Sequence, residues 1–131
     1  AVARKKLGLQ KKLYLGNLEA YRDWGFAPDY VESMWLMLQQ DKPDDYILAT
    51  GETHTVAEFI EWVKKETGKE LKVIHDNDYE RPADVSCLCG DASKAERILG
   101  WKATVKGMDI AKKMLTNDYL YENRFYKTEY K

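Results

Sequence analysis

The chain of 131 residues is poor in cysteine and histidine, has no excess of charge of either sign and contains no long apolar run. Each shortage excludes something. Cys87 and Cys89 stand one residue apart, too few for a structural zinc site and awkwardly spaced to bridge each other, so both are expected to be reduced, partly buried thiols. His54 and His75 are far apart and have no companion ligands at metal spacing, so no metal site is expected. No apolar segment approaches the roughly 20 residues needed to cross a bilayer, and the first residues do not resemble a signal peptide. A soluble, cytoplasmic protein is the expectation. With 21 basic and 22 acidic residues the net charge is -1, which supplies no global attraction for nucleic acid or an anionic membrane. Partners must be recognised at local sites.

What is present reads as one folded α/β domain: 44% hydrophobic and 12% aromatic residues over a length that can bury a core. Residues 1–11 suggest a helix carrying Arg4, Lys5, Lys6 and Lys11 next to Lys12; this cluster could attract phosphates or form a solvated face. Leu13 to Asn17 reads as a strand. Pro28 to Gln40 follows as a helix in which Val31, Met34, Trp35 and Leu38 recur at helical spacing and define a buried stripe. Tyr46 to Ala49 and Leu71 to Ile74 read as further strands. Between them Thr55 and Glu58 form a capping box that opens a helix, with Val56, Phe59, Ile60 and Val63 inward and Gly68 at its end. Asp91 or Ser93 can cap a short helix through Leu99, ended by Gly100 with Trp101 behind it. A final amphipathic helix spans about residues 107–126, with Ile110, Met114 and Leu115 inward.

One arginine stands out by position. Arg22 lies between the Leu13 strand and the helix that opens near Pro28. A guanidinium there offers a planar fork that can grip a phosphate through two bonds, and it can equally pair with Asp23 or another carboxylate. Residue chemistry leaves both open.

Longer motifs narrow the choice. The run Leu15-Gly16-Asn17-Leu18, Arg22-Asp23-Trp24-Gly25 and Asp29-Tyr30-Val31-Glu32-Ser33-Met34-Trp35-Leu36-Met37-Leu38-Gln39, followed by Arg81-Pro82-Ala83-Asp84-Val85, Gly90-Asp91-Ala92-Ser93-Lys94-Ala95 and Leu99-Gly100-Trp101-Lys102, resembles the GDP-mannose 4,6-dehydratase family of extended short-chain dehydrogenases/reductases. The order and spacing agree over roughly residues 3–118. The resemblance implies an NAD(P)-binding, Rossmann-like α/β fold of which residues 1–131 form the C-terminal, substrate-binding portion. Such dehydratases resemble one another in a Gly-x-x-Gly-x-x-Gly loop that seats the dinucleotide pyrophosphate at a helix N-terminus, and in a catalytic Tyr-x-x-x-Lys pair. This chain has neither. No catalytic residue and no cofactor contact is therefore expected within it, and the bound NADP of the parent would be held mainly by an N-terminal part that is absent here.

The resemblance also assigns a substrate site. Arg22 and Arg81 would contact the diphosphate of GDP-mannose or a related nucleotide sugar. Asp84 would accept hydrogen bonds from ribose hydroxyls, at a position where relatives usually have the longer glutamate. The segment Leu15, Gly16, Asn17 and Leu18 would border the guanine. The implied parent reaction removes water across C5 and C6 of GDP-mannose after transient oxidation at C4, giving GDP-4-keto-6-deoxy-mannose, in an enzyme expected to be a homo-oligomer. Another nucleotide-sugar epimerase, dehydratase or reductase, or a non-catalytic α/β binding module, remains an alternative reading.

Overall fold

Glycines and caps set the element boundaries. A computed structural model describes residues 2–68, 70 and 72–129; Ala1 and Leu71, where the first helix and the last of the three expected strands were to begin, lie outside them. Helix α1 covers only Val2–Lys6, shorter than its sequence pattern suggests. Gly8 adopts φ 79°, and the N–H of Leu9 returns to the Arg4 carbonyl at 2.8 Å, a glycine-terminated helix end. β1 (Lys12–Leu15) then pairs in parallel with β4 (Lys72–His75), Leu15 facing His75. β2 (Tyr21–Arg22) is the centre of a second small sheet, antiparallel to β3 (His54–Thr55) and parallel to β5 (Cys87–Leu88).

Helix α2 (Ala27–Leu38) starts with Pro28 in its first turn, where a missing N–H costs nothing. Helix α3 (Val56–Thr67) carries the capping box read from the sequence: Glu58 N–H donates to Thr55 Oγ1 at 3.0 Å, and Thr55 N–H donates to Glu58 Oε2 at 2.7 Å. Gly68 closes it at φ 61°. Helix α4 (Ser93–Leu99) ends at Gly100, φ 66°. Ala92 is its N-cap residue and provides no side-chain bond, while Asp91 accepts from Ser93 N–H just before it. Helix α5 (Met108–Glu129) runs past the expected end.

Two cores form. Ala95, Leu99, Trp101 and Ala103 pack with Leu36, Met37, Tyr46 and Leu48. Ala3, Ile60, Val63, Ile110 and Ala111 are buried on α1, α3 and α5, with α1 and α3 each packing on α5. Removing such side chains from water is the main favourable contribution to folding.

The expected stripe of α2 is not buried. Val31, Met34, Trp35 and Leu38 are 57–82% exposed, whereas the same helix buries Asp29 and Ser33 and turns Leu36 and Met37 inward. The apolar face exists, but nothing among the described residues covers it. Tyr46 to Ala49 is not a strand: among the described residues its main chain has no ladder partner. Tyr46 and Leu48 face the core, while Ile47 is 60% exposed. Met114 on α5 is likewise half exposed, although Ile110 is buried as expected and Leu115 half-buried. Both cysteines are free thiols, as expected, but exposed rather than partly buried. No helix among the described residues is long and apolar enough to cross a membrane.

Candidate functional site

The two motif regions converge where β1 leaves its sheet. Leu15 ends β1, and its carbonyl accepts the Asp76 N–H at 2.9 Å, which brings the turn Asn77–Tyr79 alongside Gly16. The approach is so close that a Cβ on Gly16 would collide with the Tyr79 carbonyl. Asn17 folds its side-chain oxygen back onto Glu19 N–H at 2.9 Å, an Asx-type turn that fixes the connection. The Leu18 carbonyl accepts from Ala57 N–H at 3.0 Å and anchors the segment to the start of α3. The carbonyls of Leu15 and Leu18 are thus engaged within the protein, and Gly16 and Asn17 provide the segment's remaining main-chain surface.

Arg22 is placed by the sheet and held by three bonds. Its Nη1 donates to the carbonyls of Tyr21 at 2.7 Å and Val85 at 2.6 Å, and its Nη2 donates to Asp84 Oδ1 at 2.5 Å. The other Asp84 oxygen accepts from Asn17 Nδ2 at 3.0 Å. Three of the seven site residues expected from sequence, Asn17, Arg22 and Asp84, therefore form one connected cluster across more than 60 residues of chain. Arg22 and Asp84 side chains are each 22% exposed. A guanidinium has five N–H groups; Nε and the second hydrogen of Nη2 have no acceptor among the described residues. Two N–H groups of the guanidinium are thus left for an acceptor such as an oxygen of a phosphate or carboxylate. Arg81, on the same loop as Asp84, is exposed and makes no hydrogen bond or ion pair among the described residues.

The residues that support this cluster were not singled out from sequence. Asp23, next to Arg22, receives Thr50 N–H at 2.9 Å, Thr50 hydroxyl at 2.6 Å, Gly51 N–H at 3.0 Å and Gly90 N–H at 3.3 Å. It joins the end of β2 to two loops. Burial pushes its carboxyl up, but the hydrogen bonds from Thr50, Gly90 and Gly51 outweigh this and hold it below the ordinary value. Asp29 does the same in the first turn of α2, accepting from Thr104 N–H at 2.7 Å, Thr104 hydroxyl at 2.8 Å and Val105 N–H at 3.1 Å. A signal existed in both cases: an aspartate directly after a short strand or within a first helical turn is well placed to collect N–H groups.

The N-termini of α2 and α3 offer no cradle for a dinucleotide. The N-terminus of α3 already holds the Glu58 carboxylate. Before α2, the space over Gly25 is filled by the Tyr30 ring. The residues present do not fit the pyrophosphate-binding turn of a Rossmann cofactor site, and no group of histidine, cysteine, aspartate and glutamate among them could hold a metal ion.

Comparison with known proteins gives the same direction. The family described as GDP-mannose 4,6 dehydratase matches residues 1–114. GDP-mannose 4,6 dehydratase 2 of Arabidopsis thaliana is 56% identical over 120 residues, covering 90% of this chain and 32% of the relative. The GDP-mannose 4,6 dehydratase of Homo sapiens is 43% identical over 138 residues, 90% of this chain and 37% of its own length. Among solved structures, a UDP-glucose 4-epimerase from Bifidobacterium longum in complex with NAD+ and UDP superposes with a TM-score of 0.76 at 26% identity, over 94% of this chain and 38% of that one. RMD from Pseudomonas aeruginosa, complexed with NADPH, superposes with a TM-score of 0.76 over 90% of this chain and 38% of that one; at 22% identity it shows the fold alone. The chain spans about a third to two fifths of the length of the curated relatives it matches.

Proposed function

The chain belongs to the GDP-mannose 4,6-dehydratase family, and on that footing we propose that residues 1–131 are the nucleotide-binding portion of such an enzyme, holding the GDP part of GDP-mannose. The observation that carries this reading is the state of Arg22: three bonds immobilise its guanidinium while Nε–H and one N–H of Nη2 have no acceptor among the described residues. A side chain pinned in this way loses little further freedom on binding, so a charge-assisted pair of bonds to a phosphate is formed at low entropic cost. Arg81 supplies a second cation for the diphosphate, Asp84 has lone pairs left for ribose hydroxyls, and Gly16 and Asn17 provide main chain beside the base.

The whole enzyme, a lyase, converts GDP-mannose to GDP-4-keto-6-deoxy-mannose. NADP would supply hydride transfer at C4 and would be seated by the remainder of the parent. Residues 1–131 alone bind and do not catalyse. In the whole enzyme their hold on the nucleotide positions the hexose against the nicotinamide, which is how remote binding energy serves a reaction. The cofactor-binding part is the occupant of the open face of α2. Val31, Met34, Trp35 and Leu38 form an apolar surface continuous in character with exposed Ile47, and the unpaired main chain of residues 46–49 offers an edge to a strand. The relatives have more than half their length outside the matched region, enough to fill it. The parent is a cytoplasmic homo-oligomer in this reading.

Titration of the chain with GDP tests the site. Arg22→Ala and Arg81→Ala should each weaken GDP by about tenfold or more, from charge-assisted bonds of roughly 1.5–3 kcal/mol. Unchanged affinity in both variants refutes the site. UDP bound as well as GDP would instead favour an epimerase or reductase acting on another nucleotide sugar.

A further inference from the structure

Asp84 neutralises the arginine that an anion would use. Its Oδ1 accepts from Arg22 Nη2 and its Oδ2 from Asn17 Nδ2, so the carboxylate is locked beside the guanidinium from two directions. Val85, the next residue, also holds Arg22 through its carbonyl. An anion approaching the unused N–H groups of Arg22 therefore meets a cation whose charge is already balanced by a carboxylate that Asn17 holds in place. At the separations involved, a like charge in a partly screened site disfavours a bare anion substantially. A carboxylate has about four lone-pair positions, of which hydrogen bonds from Arg22 and Asn17 take two. A ligand that brings hydroxyl donors together with its phosphates can use the others and offset the repulsion.

We propose that Asp84 is a selectivity residue: paired with Arg22, it acts as a charge counterweight that excludes bare phosphate anions such as inorganic pyrophosphate and admits a diphosphate only when a hydroxyl-bearing sugar accompanies it. The inference rests on the nucleotide-binding reading of Arg22. It adds to that reading a function for the Arg22–Asp84 pair itself, namely discrimination against the simplest competing anions rather than contact with the ligand alone.

The test is calorimetric titration of the 131-residue chain and its variants with GDP and, separately, with pyrophosphate. Asp84→Asn keeps the shape and one acceptor oxygen but removes the charge; pyrophosphate should then bind about tenfold tighter, and the ratio of GDP to pyrophosphate affinity should fall by at least that factor. Asp84→Ala, a second charge-removing variant, should shift the ratio the same way. Asp84→Glu retains the charge and should restore rejection of pyrophosphate, an outcome that a purely structural role does not require. If pyrophosphate binding is unchanged or weaker in both charge-removing variants, while the parent chain binds GDP and Arg22→Ala loses it, the counterweight is wrong and the nucleotide site stands. If the parent chain binds neither ligand, or Arg22→Ala changes nothing, both fail.

Discussion

The indole Nε1 of Trp101 donates to the main-chain carbonyl of Asp29 at 2.7 Å, across 72 positions of sequence. On the other side of the same residue, the Asp29 carboxylate collects the N–H groups of Thr104 and Val105. The start of α2 and the segment after α4 are therefore joined through main chain and side chain of one aspartate, and Trp101, 3% exposed, packs its ring edge-on against Tyr30 beneath them.

Replacing Asp29 by alanine leaves buried donors without acceptors, which is costlier than never having had the bonds. Chemical unfolding of Asp29→Ala should show a loss of about 3 kcal/mol, the scale for breaking charge-assisted bonds in a buried setting. A loss below about 1 kcal/mol would mean that water replaces the carboxylate and that the junction is not held through Asp29.

Acid should weaken the fold through the same kind of contact. Asp23 and Asp29 both have carboxyls held below the ordinary value of 3.8, where burial alone would raise them but N–H and hydroxyl donors prevail. A carboxyl lowered in the folded state contributes stability that is fully present above its unfolded pKa and is lost as pH falls through its folded pKa. Unfolding midpoints should thus be level from neutral pH to just above 3.8 on account of these groups, then decline below it. In Asp23→Asn the decline should be shallower than in the parent, and an unchanged acid limb would exclude Asp23 as a contributor.

Gly16→Ala should disturb the site rather than β1. Its new Cβ meets the main chain of Tyr79 and Glu80, not a flexible side chain that could swing away. The turn carrying the chain toward Arg81 and Asp84 must move, so stability should drop by about 1–3 kcal/mol and GDP affinity should fall with it. Full GDP affinity in this variant would separate the turn from the binding site.

Charging the open face of α2 should leave the fold intact and abolish association. Trp35 and Leu38 are 61% and 82% exposed, so Trp35→Glu and Leu38→Glu should change unfolding free energy by less than about 1 kcal/mol. In sedimentation of the chain mixed with the cofactor-binding part of a matched dehydratase, the parent chain should form a one-to-one complex and both variants should lose it. Equal association by parent and variants would place the contact elsewhere.

Most of the helical framework was legible because it is written in short-range bonds. Thr55 and Glu58 satisfy each other's main chain within four residues, and Gly68 and Gly100 end helices because they adopt positive φ at no steric cost. The sequence alone also determined that α2 has an apolar face, since periodicity is a local property. Only tertiary structure decided that this face is open, that residues 46–49 have no ladder partner among the described residues, and that Arg22 pairs with Asp84 rather than with its neighbour Asp23. Burial, strand pairing and ion pairing each require a second surface brought in from far along the chain, and no spacing of residues states which surface arrives.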